Sequence, residues 1–240
     1  MKIFVVLPAY NESENIPALM EDLVRLKNSG EDLRAVMVDD GSADNSAALA
    51  ESYKDRLDVT VVKHETNLGL GPTMRTGLRT VLASAKSGDM VVTMDADQSH
   101  PVNLIPMLKE KLSQGFDVVI ASRYAPGGDE LGLSKPRRVV SRICSWLFRL
   151  IRPIKNVRDY TCGYRMYRSD TLKMLAEKTG NNFFKVNGFP AMCELLLTLS
   201  KCNVKVGESP LTLRYDLKKG KSKMRFFRTT YQYLRVLICT

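Results

Sequence analysis

Short apolar runs alternate with longer amphipathic stretches through the first half of this 240-residue chain. The runs KIFVVL (2–7), RAVMV (34–38), VTVV (59–62), MVVTM (90–94) and DVVIA (117–121) are rich in Val and Ile. Side chains alternate between faces along a strand, so a nearly unbroken apolar run predicts burial on both sides. Between the runs, helical patterns cover 14–28, 43–54, 70–86 and 103–114. Gly30 and Gly115 follow two of these segments at C-cap positions. Strand and helix in alternation predict an α/β fold, with a mostly parallel, Rossmann-like sheet flanked by helices.

Such a sheet binds its ligands beyond the carboxyl ends of the strands. The segments that follow the runs are PAYNE (8–12), DDGS (39–42), KHETNLGLG (63–71), DADQSHP (95–101) and SRY (122–124), so the polar residues converge on one edge. After residue 125 the pattern loosens. APGGDE (125–130) reads as a mobile loop, and a helix is expected over 137–152. One side of that helix carries Arg138, Arg142, Arg149 and Arg152; the other carries Ile143, Leu147, Leu150 and Ile151. NVRDYTCGYRMYRS (156–169) reads as irregular, with Ser169 as the N-cap of a short helix. A helix at 190–200, an extended stretch VKVGESPLTLRY (204–215), a basic turn DLKKGKSK (216–223) and an amphipathic terminal helix complete the chain. The expected division is one domain over 1–215, with halves at 1–121 and 122–215, followed by a basic loop and helix over 216–240.

Charge changes the picture more than composition does. The 44% hydrophobic content supports a folded core, and the net charge is +10. Residues 1–120 hold 12 Lys/Arg against 18 Asp/Glu, net −6, and residues 121–240 hold 24 against 8, net +16. The second half therefore calls for an anionic partner: nucleic acid, an anionic membrane or a phosphorylated substrate. The five cysteines have neither zinc-site nor disulfide-framework spacing and read as free thiols. MKIFVVLP is too short an apolar run for a signal peptide or a membrane span.

The chemistry centres on DADQSHP. A strand continued to Asp97 would point Asp95 and Asp97 to the same side. Two carboxylates in one cleft repel unless a cation joins them or one is protonated. A divalent ion bridging them to a diphosphate resolves the repulsion, and acid–base work by the pair is the weaker reading. His100 has either a structural role or a contact with metal or phosphate, and His64 reads as structural or hydrogen-bonding. A His/His/Asp zinc site lacks the expected ligand spacing. NLGLG is not a GxGxxG fingerprint, and no GxxxxGK[ST] loop is present.

Taken together, PAYNE, DDGS, NLGLG, DADQSHP, SRY, DYTCGYR and GKSK, in that order over essentially the whole chain, resemble family 2 glycosyltransferases of GT-A fold. The likeness is to the polyprenyl-phosphate sugar transferases of the dolichol-phosphate mannose synthase type. It implies that Pro8, Tyr10, Glu12 and Asp39 line the base and ribose site, with Asp40 beginning a supporting turn. Asp95 and Asp97 match the pair that holds Mg²⁺ or Mn²⁺ on the donor diphosphate, with Ser99 acting at most through a water. Arg123, Arg137 and Ser141 match the set that receives the acceptor phosphate, with Asp95, Asp97 and Arg123 as the catalytic set. Arg214, Lys221 and Lys223 match donor-diphosphate contacts on a closing loop. Cys162 in DYTCGYR departs from the usual form and reads as packing, whereas Arg165 reads as a phosphate or a structural contact.

The implied reaction moves a hexose, with mannose from GDP-mannose the first choice and UDP-glucose next, to a polyprenyl or dolichyl phosphate with inversion. The acceptor phosphate is itself an anion near neutral pH, so no dedicated base is required. The expected location is the cytoplasmic side of a membrane, held peripherally by an anionic surface and by a small anchoring subunit if one is needed. Met224, Phe227, Tyr231, Leu234 and Ile238 share one face of the terminal helix, opposite Arg225, Arg228, Gln232 and Arg235. That helix either packs on the core or lies in the interface. The rival readings are a family 2 transferase with another donor or a non-lipid acceptor, a sugar-nucleotidyltransferase, and a basic nucleic-acid-binding module. The last lacks an RNA-binding sheet motif or a zinc finger, so no nucleic-acid partner is expected.

Overall fold

The computed structural model describes residues 1–219 and 226–239. In chain order the elements are β1 (Ile3–Ala9), α1 (Ile16–Asn28), β2 (Leu33–Asp39), α2 (Ser46–Glu51), β3 (Asp58–Lys63), α3 (Leu70–Leu82), β4 (Met90–Thr93) and, after a 3₁₀ turn (Val102–Leu104), α4 (Ile105–Ser113). The second half adds β5 (Val118–Ser122), β6 (Asp129–Leu131), α5 (Lys135–Ile151), β7 (Arg165–Arg168), α6 (Ser169–Thr179), α7 (Ala191–Ser200), β8 (Val206–Pro210), β9 (Thr212–Arg214) and α8 (Phe226–Cys239).

Seven strands form the central sheet in the order β3-β2-β1-β4-β7-β5-β8. All neighbouring pairs are parallel except those made by β7, which runs antiparallel to both β4 and β5. Parallel neighbours need crossovers, and the intervening helices supply them: α3 packs on β1 and β2, and α4 on β5, β7 and β8. The apolar runs are buried as their composition dictates, and Ile3, Val5, Val6, Leu7, Val91 and Val92 have no exposed surface. Gly30 and Gly115 sit just past the ends of α1 and α4 with φ of 107° and 93°, a region where a side chain is strained.

Three local expectations are corrected. Asp129 and Glu130 of the expected mobile loop form β6 with Leu131, and β6 pairs in parallel with β9 in a small second sheet. Part of the irregular segment 156–169 is β7, whose Met166 and Tyr167 are fully buried between two strands. Four residues are too few to show a period, and their two arginines obscure the apolar signal. Ser169 is the first residue of α6 rather than its cap, and its hydroxyl donates to the Lys86 carbonyl at 2.7 Å.

Candidate active site

Strand order determines where the cleft opens. From β1 the chain steps outward to β2 and β3, then returns to the other side of β1 as β4. Crossovers leaving in opposite directions open a crevice at the carboxyl ends of β1 and β4. Pro8, Ala9 and Tyr10 from β1 and its extension meet Thr93–Asp97 from β4 there, on the wall of a cavity of about 370 Å³. The second half adds Arg137 and Ser141 of α5, Tyr215 and Lys218 after β9, and Thr229 and Tyr233 of α8 to the lining.

Asp95 and Asp97 both line this cavity, with Met94 and Ala96 packed into the core. The Asp95 side chain is 42% exposed and His100 only 5%. His100 stacks on Tyr164 at 5.0 Å between ring centroids, and its Nδ1 accepts the Asp95 backbone N–H at 2.9 Å. The histidine thus orients the loop through a nitrogen already committed to the backbone. Asp97 accepts the Ser99 hydroxyl at 2.6 Å and backbone N–H at 3.1 Å on Oδ1, and the Lys218 ammonium on Oδ2. The protein packed around the partly exposed Asp95 side chain raises its carboxyl above its ordinary value, with the Asp97 charge adding to the rise and His100 opposing it. At Asp97 burial acts in the same direction, but the Lys218 charge and the hydrogen bonds from Lys218 and Ser99 outweigh it and hold the carboxyl low.

This donor set suits a hard divalent ion. Mg²⁺ takes one or two carboxylates and completes its octahedron with phosphate and water, whereas zinc sites favour nitrogen or sulfur. Among the described residues, no group of three His, Cys, Asp or Glu gathers as a closed metal cage. Ser99 donates to Asp97 and so positions a carboxylate.

The neighbouring loop is built on Asp40, whose buried carboxylate accepts the N–H groups of Leu68 (3.0 Å) and Gly69 (2.8 Å). His64 bridges Asp40 at 2.8 Å and Thr76 at 3.0 Å, a structural role. Gly41 has φ +72°, and a Cβ there would lie 2.6 Å from the Thr66 carbonyl carbon, so the DDGS turn requires glycine. The NLGLG segment is thereby shaped into a cavity wall through Asn67, Gly69 and Leu70.

On the acceptor side, Arg123 is almost enclosed. Its Nε and Nη2 donate to the two oxygens of Asp159 at 2.7 Å each, Nη1 to Glu130 at 3.1 Å, and Nη2 also to Thr161 at 2.6 Å. Glu130 additionally faces Arg138 at 3.6 Å and Arg142 at 3.9 Å. Tyr124 donates to Ser141 at 3.0 Å, and the hydroxyls of Ser141 and Thr161 lie 3.1 Å apart. Arg137 donates to the Tyr215 hydroxyl at 3.0 Å and has no carboxylate partner among the described residues.

Residues 4–175 match the sequence profile described as glycosyl transferase family 2. The chain belongs to that family. Over 238 residues this glycosyltransferase is 30% identical to a dolichol-phosphate mannosyltransferase of Pyrococcus furiosus, covering 98% of the present chain and 62% of the relative. The chain thus spans less than two thirds of that protein's length. An undecaprenyl-phosphate mannosyltransferase of Micrococcus luteus is 30% identical over 225 residues, 93% of this chain and 88% of the relative. Among solved structures, glucosyl-3-phosphoglycerate synthase of Mycobacterium tuberculosis, crystallised with Mn²⁺, UDP and glucosyl-3-phosphoglycerate, shares the fold. Its TM-score is 0.71 at 20% identity, covering 99% of this chain and 79% of that one. The seven-stranded, mostly parallel sheet is accordingly a GT-A architecture.

Most residues expected from the resemblance gather in this glycosyltransferase's cavity: Pro8, Tyr10, Glu12, Asp40, Asp95, Asp97, Ser99, Arg123, Arg137 and Ser141 all line it. Two do not. Asp39 is buried beneath the turn, where it accepts the Ser42 N–H at 3.1 Å. Arg214 lies outside because side chains alternate along β9 and the chain that follows it: Leu213 and Tyr215 enter the cavity, so Arg214 turns away and pairs with Asp216 at 2.8 Å. Lys221 and Lys223 lie outside the described residues. Arg165 is a structural residue, fully buried and donating to the carbonyls of Cys162, Tyr160 and Met192. Burial, with the Asp159 charge in support, pushes the Cys162 thiol up to about 12, so it stays protonated and packs.

Sequence reasoning missed Asp159, Glu130 and Lys218. The first two carried a faint signal, as rare acids in a half with 24 bases. Lys218 opens the same basic turn as the lysines that were singled out.

Proposed function

We propose that the protein transfers mannose from GDP-mannose to a polyprenyl phosphate, with inversion at the anomeric carbon. The observation that carries this reading is that the carboxylate pair and the Arg137/Ser141 pair line one cavity. The names of the relatives, dolichol-phosphate and undecaprenyl-phosphate mannosyltransferase, support a lipid phosphate acceptor. Mg²⁺ or Mn²⁺ held by Asp95 and Asp97 would supply positive charge to the donor diphosphate. Pro8, Tyr10 and Glu12 form the nucleotide wall, and Asp40 shapes the loop beside it. Arg137 and Ser141 receive the acceptor phosphate. Arg123, already neutralised by Asp159 and Glu130, holds the hydroxyls of Ser141 and Thr161 in place through its network.

In the transfer, a phosphate oxygen forms the new bond to the anomeric carbon as the bond to the nucleoside diphosphate breaks. The nucleophile is an anion with a second pKa of about 6, so the protein moves no proton. Its task is to bring two anions together and orient them, which explains cations on both walls. Residues 1–215 form the catalytic unit, to whose cavity Lys218 and the Thr229 and Tyr233 side chains of α8 add.

An acceptor held in a bilayer requires an enzyme that docks there, and α5 supports such a face. Val139, Ile143, Trp146 and Leu150 are 50–64% exposed at helical spacing, flanked by Arg138, Arg142 and Arg149. On α8, Tyr231 and Ile238 are exposed while Val236 and Leu237 are buried. No helix among the described residues is long and apolar enough to cross a membrane. The deciding assay presents GDP-mannose, UDP-glucose and other sugar nucleotides, each with a short polyprenyl phosphate and Mg²⁺ or Mn²⁺, and identifies the lipid product by mass. A hexose-bearing lipid phosphate from GDP-mannose is expected. Donor turnover onto non-lipid acceptors alone would sink the proposal.

A further inference from the structure

The turn after β9 crosses the cavity and places a cation on the metal carboxylates. The Lys218 side chain is 11% exposed and that of Asp97 8%, and their ion pair is direct. Lys218 Nζ also lies 5.4 Å from the centroid of the Tyr215 ring. One residue on, Lys219 N–H donates to Asn15 Oδ1 at 3.2 Å. Asn15 Nδ2 donates back to the Lys219 carbonyl at 3.2 Å and to Glu12 at 2.6 Å. Tyr215 in turn holds Arg137. The turn is therefore tied to the nucleotide wall, the carboxylate pair and the acceptor wall together.

Ser99 engages one oxygen of Asp97 and Lys218 the other. A divalent ion that drew on Asp95 and Asp97 would meet the ammonium on the same carboxylate, and two cations at one oxygen repel. We infer that Lys218 is the resident cation of the metal site. It pairs with Asp97 and orients its carboxylate in the nucleotide-free protein, yields to the divalent ion, and then directs its charge to the incoming diphosphate. This rests on the reading of Asp95 and Asp97 as the metal pair.

The test is a Mn²⁺ titration of the purified full chain, followed by the electron paramagnetic resonance of free Mn²⁺, without nucleotide and then with saturating GDP. Without nucleotide, Lys218→Gln is expected to bind Mn²⁺ about tenfold more tightly than wild type, because its competitor is gone. With GDP it is expected to bind Mn²⁺ several-fold more weakly, and Lys218→Arg should stay near wild type in both titrations. A purely structural role weakens both, so the change of sign is diagnostic. Equal or weaker nucleotide-free binding by Lys218→Gln overturns the inference, as does undetectable binding to it and to wild type alike. Asp97→Asn separates the two readings. If it binds Mn²⁺ as wild type does, the metal assignment itself fails; if it loses Mn²⁺ while Lys218→Gln gains none, only the role of Lys218 falls.

Discussion

At the scale of single residues, the site is a set of charges each defined by a particular neighbour. Asp95 and Asp97 share a loop and a cavity, yet their carboxyls shift in opposite directions because only Asp97 touches Lys218. Arg123 shows the converse. Its guanidinium is spent on Asp159 and Glu130, so its worth lies in the hydroxyls it holds. Burial alone would raise the Asp159 carboxyl, but Arg123 overrides it and holds the folded-state value below the ordinary one. A depressed carboxyl contributes stability that is fully present above about pH 4 and lost as pH falls through the folded value. Asp159→Asn is therefore expected to cost about 3 kcal/mol at neutral pH, since it breaks a buried pair. Urea unfolding at a series of pH values would show the gap to wild type narrowing below about pH 4. Gly41→Ala is expected to lower stability by more than about 1 kcal/mol in the same assay, because positive φ and the nearby Thr66 backbone both oppose a side chain.

At the scale of elements, α5 carries three assignments on one cylinder. Arg137, Ser141 and the buried Cys144 line the cavity, Phe148 faces the core, and Val139, Ile143, Trp146 and Leu150 remain exposed. The terminal helix α8 docks through Thr229, Tyr233, Val236 and Leu237, a face that neither the apolar nor the basic stripe of the sequence anticipated. Arg152 donates to the carbonyls of Leu237 and Ile238 at 3.3 and 3.5 Å, satisfying the end of that helix. Docking on the core and offering Tyr231 and Ile238 outward are thus compatible. Replacing both Trp146 and Leu150 by Ser is expected to weaken sedimentation with anionic vesicles roughly tenfold or more, given about 1.5–3 kcal/mol for each buried large side chain. The thermal midpoint should barely move, because these side chains are 60% and 64% exposed. Unchanged vesicle binding at low salt would remove α5 from the docking face.

At the scale of the whole molecule, an acidic half and a basic half both contribute strands to one sheet and residues to one cavity at its edge. The parallel strands, their flanking helices and the polar edge were legible in the chain because burial on two faces and helical periodicity are properties of contiguous residues. The carboxylate pair was legible for the same reason, since it continues a buried strand. What stayed hidden depends on partners far apart in sequence. Arg123 and Asp159 are separated by 36 positions, Lys218 and Asp97 by 121, and nothing local announces either pair. The insertion of β7 between β4 and β5, and the register that turns Arg214 outward, are likewise decided by which strands meet. The sequence by itself thus determined the α/β layering, the edge that binds and the charges available there. Only tertiary structure decided which of those charges face an incoming ligand and which neutralise each other, because an electrostatic role depends on distances between segments that chain order does not specify.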